Sequence, residues 1–111
     1  MKGILKKLFK PKNEDSPRYR TEFANRIAGR QIKYVTRRID NEDIVIGRDG
    51  CLAIHDGVFI VLASGEEKFR TNVCDLKASE LMSLDGVILE GPNLEKGGEY
   101  DKVVAYYKYY R

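Results

Sequence analysis

The chain has 111 residues and 42% apolar side chains, enough for one ordinary globular domain and too few for two, and neither a disordered segment nor a membrane bundle. Its two cysteines form no C-x-x-C, and with no secretory signal both thiols are expected to stay reduced and to pack as small apolar residues. The formal charge of +3 is unevenly spread: residues 1–38 carry twelve Lys and Arg against three acids, net +9, and residues 39–111 carry eight against fourteen, net −6.

In residues 2–10, Ile4, Leu5, Leu8 and Phe9 fall on one helical face and Lys2, Lys6, Lys7 and Lys10 fill the rest. Pro11 ends that pattern, and the polar stretch that follows reads as a linker, so residues 1–16 form a basic amphipathic segment ahead of a single domain at 17–111. Ser16-Pro17 is a helix start, with Ser as N-cap and Pro at the first helical position. Tyr19, Phe23 and Ile27 recur every four residues, and Gly29 supplies a left-handed stop, so the spacing predicts a helix over 17–28. Twelve residues are marginal alone in water, so this stripe needs a surface to cover.

From residue 31 onward the chain changes to short β-branched runs: Gln31–Arg37, Asp43–Gly47, Cys51–His55, Val58–Ala63 and Lys68–Val73. Asp-Gly occurs between such runs at 49–50, 56–57 and 85–86, the strongest short-range hairpin signal, so three hairpin turns are expected there. Residues 74–84 are ambiguous between helix and strand. A short turn followed by a strand at 77–82 fits better, because a hairpin at Asp85-Gly86 then leads onto Val87–Glu90. The last run, YDKVVAYYKYYR, alternates as a strand. The result is a mainly β fold: a small antiparallel barrel or two-sheet sandwich with one N-terminal helix. Its expected core comprises Ile32, Tyr34, Ile44, Ile46, Leu52, Ile54, Phe59, Val61, Phe69, Leu76, Leu81, Val87, Leu89 and one face of 103–109.

The run GCLAIHDGVFIVLASGEEKFRTNVCDLKASELMSLDGVILEG resembles the strand and turn order of bacterial pleckstrin-homology-like or GRAM-like domains. In those a hairpin, a strand bearing an aromatic residue (here Phe69), a polar connector and another hairpin succeed one another. The likeness covers about 42 of the 111 residues and no ligand motif. It implies a binding or assembly module. Those domains close with a C-terminal amphipathic helix, whereas this chain ends in a Tyr-rich strand, so the helix at 17–28 would have to take that place.

The chemistry-bearing residues are sparse. His55 is the single histidine, and Cys51, Cys74 and His55 lack the spacing and the fourth ligand of a zinc site. Cys51 and His55, four apart on one strand, stand about 13 Å apart and out of proton-transfer reach. Phosphate-cradling loops are absent, and Asp40-Asn41-Glu42-Asp43 lacks the order of a calcium loop. No catalytic residue, metal or cofactor is therefore assigned, and the expected function is a non-catalytic binding or scaffolding module.

Four partners are weighed. Lys2, Lys6, Lys7, Phe9 and Lys10 suit an anionic membrane surface, each Lys contributing about 1 kcal/mol there. A homodimer is expected through an exposed edge of the terminal strand or its tyrosine face, with Tyr106 and Tyr110 at the interface. Nucleic acid is the alternative, through Arg18, Arg20, Arg26, Arg30, Lys33, Arg37 and Arg38, with tyrosines as stacking platforms. An unidentified protein partner and a small enzyme with an unrecognised site complete the set. No run is long and apolar enough to span a bilayer, and no secretory signal is present, so the chain is expected in the cytoplasm, peripheral to the membrane if the basic segment docks there.

Overall fold

A computed structural model describes residues 16–108. Helix α1 (Pro17–Ile27) begins as the sequence requires: the Ser16 hydroxyl accepts a hydrogen bond from the Tyr19 backbone N–H at 3.1 Å. It stops where expected, with Gly29 at φ +91° just beyond it. Phe23, Ala24 and Ile27 are buried from it and Tyr19 packs beside them.

Seven strands follow: β1 (Gln31–Ile39), β2 (Glu42–His55), β3 (Val58–Ala63), β4 (Glu66–Asn72), β5 (Lys77–Glu80), β6 (Gly86–Asn93) and β7 (Glu99–Tyr107). A 3-10 turn at Val73–Asp75 and another at Leu94–Lys96 break the run. The ambiguous 74–84 stretch is thus a turn and a short strand, as the hairpin argument anticipated. All pairings are antiparallel, in one sheet ordered β4-β3-β2-β1-β7-β6-β5. The sheet is a single layer that curls on itself without closing into a barrel.

Three extra residues drive the curl. The registers slip at Lys33 in β1, Ile46 in β2 and Lys68 in β4, and each such bulge bends its strand and sharpens the local twist. The curl brings β4 beside β6, where the Arg70 backbone N–H donates to Asn93 Oδ1 at 3.2 Å. The inner face then closes over Ile32, Leu52, Phe59, Val61, Phe69, Val87, Leu89, Val103, Ala105 and Tyr107, with α1 packed over the 3-10 turn at Val73–Asp75 and over β5.

Three expectations fail. Asp49-Gly50 is no hairpin turn: β2 runs through it as one strand, with Asp49 at φ 50° and Gly50 against β3, where a Cβ would sit 1.6 Å from the Leu62 carbonyl oxygen. Asp85-Gly86 is not the β5–β6 turn either, because Gly86 already pairs with Tyr106 and the connection spans Leu81–Asp85. Only Asp56-Gly57, at φ 51° and 76°, is the two-residue turn expected. Three expected core residues are not in it: Tyr34 and Leu81 are only half-buried, and Ile44 is 39% exposed, for a reason set by the neighbours of β2.

Those neighbours run out. β1 pairs with β7 only as far as Arg37↔Val103, and β2 pairs with β3 only from Gly50↔Ala63 onward. Residues 38–45 therefore project as a two-stranded ribbon closed by Asp40-Asn41, both at positive φ. Adjacent residues of a strand face opposite ways. Ile44 and Val45 at 39% and 38% exposure show that both faces of this arm meet water.

Candidate functional site

The arm leaves the sheet at a polar joint. Arg37 donates through Nε to Asp101 Oδ1 at 3.1 Å and through Nη2 to Oδ2 at 2.7 Å, a bidentate pair with the carboxylate almost wholly buried. Asn93, also buried, donates to Asp101 Oδ2 at 2.8 Å, and the Lys102 backbone N–H donates to Oδ1 at 2.9 Å. Burial pushes the Asp101 pKa up, but the Arg37 and Asn93 hydrogen bonds and the Arg37 charge outweigh it, and the carboxyl sits below its ordinary value. Asn93 Oδ1 also accepts the Arg70 and Glu95 backbone N–H groups, so one amide ties β4, β6, the turn at Leu94–Lys96 and the Asp101 carboxylate together.

Beside this joint, on the outer face, lies a cleft of about 800 Å³. Thr36, Ile88, Val104 and Tyr106 line it from β1, β6 and β7. Arg38, Ile39 and Asp43 contribute from the arm, and Leu81 from the β5–β6 connection. Tyr100 and Lys102 stand toward the polar joint. The charges here are largely paired: Arg38 Nη1 lies 3.2 Å from Asp43 Oδ1, and Arg38 Nη2 donates to the Asn41 carbonyl. Tyr100 donates its hydroxyl to Glu90 at 2.9 Å.

Tyr106 rests against Tyr34 with ring centroids 4.8 Å apart. Burial raises its pKa, and Tyr34, Asp43 and Asp85 add to the effect. The phenol is therefore protonated throughout the neutral range and stands in the cleft as a neutral hydrogen-bond donor. Chemically this is a site for holding an apolar group and a hydrogen-bond acceptor together. It contains no histidine or cysteine: His55 is exposed beside Asp56 at the β2–β3 turn, Cys51 is half-buried and Cys74 exposed elsewhere. Among the described residues no three His, Cys, Asp or Glu side chains gather as metal ligands.

Of the residues singled out from sequence, Tyr106 lines the cleft, while Lys2, Lys6, Lys7, Phe9, Lys10 and Tyr110 lie outside the described residues. The terminal strand offers no free edge, because β7 sits between β1 and β6 and pairs with both. The argument for a dimer through that edge is thereby removed. The basic region from Arg18 to Arg38 is largely engaged within the fold. Arg18 pairs with Glu22, Arg20 donates to the Cys74 carbonyl, Arg26 and Arg30 lie over the Phe23 and Tyr107 rings, and Arg37 and Arg38 are paired as above. Among the described residues no helix is long and apolar enough to cross a membrane.

Thr36, Ile88 and Val104 were missed as site residues. For Ile88 and Val104 the signal was present in GVILEG and DKVVAYY, which are apolar at successive positions and so apolar on both faces of the sheet; Thr36 has no such signal in its own run. One face fills the core; the other needs a cover or a ligand. Comparison with protein-family models, curated proteins and solved structures gives no match to this chain.

Proposed function

We propose that the chain is a non-catalytic binding module whose outer-face cleft holds a segment of a protein partner. The observation that carries this reading is the cleft itself: an apolar lining of Ile88, Val104 and the Tyr106 ring, fringed by charges of both signs that are already paired. The lining cations are mostly committed, Arg38 to Asp43 and Arg37 and Lys96 to Asp101, which serves a polyanion poorly, whereas a polypeptide offers the apolar side chains and carbonyl acceptors that fit the cleft. The Tyr106 hydroxyl supplies the polar anchor and the Tyr34–Tyr106 pair the aromatic contact on which such interfaces concentrate their energy. The resemblance to pleckstrin-homology-like domains agrees with a binding role. A four-strand meander is followed by a three-strand one, and α1 covers one end of the curl from the N-terminal side.

Affinity capture from native cell extract tests this, run in parallel with the full-length chain and an Ile88→Lys/Tyr106→Ala variant of matched circular dichroism. A protein held by the unaltered chain and lost by the variant, and then bound with the same difference by calorimetry once purified, is the expected result. Identical retention by both chains overturns the cleft as the binding surface.

A further inference from the structure

Among the described residues, the outer edge of β2 in the arm has no strand beside it. Asp40-Asn41 is a two-residue turn, so Ile39 and Glu42 form the closing hydrogen-bonded pair, Arg37 and Ile44 form the next, and Asp43 and Val45 direct their backbone N–H and C=O away from β1. The same alternation, continued past the extra residue Ile46, turns Arg48 outward. There Arg48 donates its N–H to Ser64 Oγ at 2.9 Å and accepts the Ser64 N–H at 2.7 Å. Arg48 thus has a neighbour on that side, while β3 ends its register at Gly50↔Ala63 and does not reach residues 43–45. An edge of this kind is a template for another strand unless it is covered or blunted. Here it carries no proline and two exposed apolar side chains, Ile44 and Val45.

We infer that two copies of the chain associate through a two-fold axis at Ile44, β2 against β2, antiparallel. In that register Asp43 of each copy faces Val45 of the other, and both are the outward-pointing residues, so four backbone hydrogen bonds form at once. Ile44 faces Ile44 as a non-hydrogen-bonded pair, the closest side-chain approach in an antiparallel sheet. Charge selects the same arrangement. The arm tip carries Asp40, Glu42 and Asp43, and Arg48 stands at its root. Antiparallel pairing lays each acidic tip toward the Arg48 end of the other copy, whereas parallel pairing would stack the acids on each other. A shift of one residue to Val45 on Val45 would set Asp43 against Gly47, which already pairs with Val35, and forfeit two of the four bonds. The interface is isologous, as closed homodimers require. It is small, so dissociation falls in the roughly micromolar range. The inference does not rest on what the cleft binds, although Asp43 borders both surfaces.

Sedimentation equilibrium of the full chain across a concentration series tests this, with Ile44→Lys, Ile44→Glu, their equimolar mixture and Val45→Pro. Ile44 is exposed and the Val45 N–H points away from β1 with no strand to meet it among the described residues, so each variant should keep the fold, which far-UV circular dichroism checks. The unaltered chain should dimerise. Ile44→Lys and Ile44→Glu, each setting like charges across the axis, should each weaken association by roughly tenfold or more. Their mixture should recover it as a heterodimer, and Val45→Pro should lose it. A single-chain mass for the unaltered protein at about 500 µM, well above the expected range, overturns the inference. So does an undiminished dimer in the Lys variant, or a mixture that stays monomeric.

Discussion

DIVIG at 43–47 and VFIVLA at 58–63 are both short, β-branched, apolar runs, and they meet opposite fates. In the second, Phe59, Val61 and Ala63 are buried. In the first, Ile44 and Val45 stand more than a third exposed. The difference lies in their neighbours. β3 has β2 on one side and β4 on the other, and its inner face lies under the curl of the sheet. Among the described residues, 43–45 have β1 alone beside them. Burial here is a property of the strands alongside, and an apolar run left without them becomes a surface for something else to cover.

The sharpest way to break this contrast is to truncate one side chain in each region. Phe59→Ala should cost about 3–5 kcal/mol, because it removes a large ring from a filled interior and leaves a cavity. Ile39→Ala, on the arm and away from its free edge, should change stability by no more than about 0.5 kcal/mol. Urea midpoints for the two variants measure this. Comparable losses would mean that the arm packs against the body after all.

The two regions are joined at Asp101, and the joint has a pH signature. Asp101→Asn should cost about 2–3 kcal/mol, since the amide nitrogen cannot accept and Arg37 loses one of its two hydrogen bonds together with its buried counter-charge. The folded-state pKa of Asp101 lies below its ordinary value. Its contribution is therefore complete above the unfolded value of about 3.9 and is lost as pH falls through the folded one. The stability gap between the unaltered chain and Asp101→Asn should be constant from neutrality to about pH 5 and then narrow steadily with acid. A gap that stays constant down to about pH 3 would remove the carboxylate from the account.

The body was readable because its signals are local. The Ser16 cap, the Tyr19–Phe23–Ile27 stripe, the Asp56-Gly57 turn and the alternation around Phe59 and Val87 each follow from their own neighbourhood in sequence. The arm and the cleft were not, because both depend on which strands lie next to which. Nothing near β7 says that it pairs with β1 on one side and β6 on the other, yet that placement removes its edge and sets Val104 and Tyr106 beside Ile88 and Thr36. Asp49-Gly50 misled for a related reason. The dipeptide permits positive φ, and here that freedom bends a strand past the Leu62 carbonyl instead of reversing the chain.

An effect smaller than the losses at Phe59 and Asp101 separates the regions most finely. Asn41 sits at φ 67° in the tip turn, a conformation that Asn tolerates and a β-branched residue does not. Asn41→Val should therefore strain the turn by about 1–2 kcal/mol. That strain acts where the arm has no second neighbour, so it should be relieved by opening the ribbon locally without unfolding the sheet. Native-state hydrogen exchange reads this directly, at a concentration low enough that the chains stay separate. The Ile39 and Ile44 amides, which bond across the ribbon, should exchange about tenfold faster, while those of Val61 and Leu89 in the body should be unchanged. Equal acceleration at all four would show that arm and body open as one cooperative unit. The exposed ribbon would then be part of the folding core and not an appendage to it.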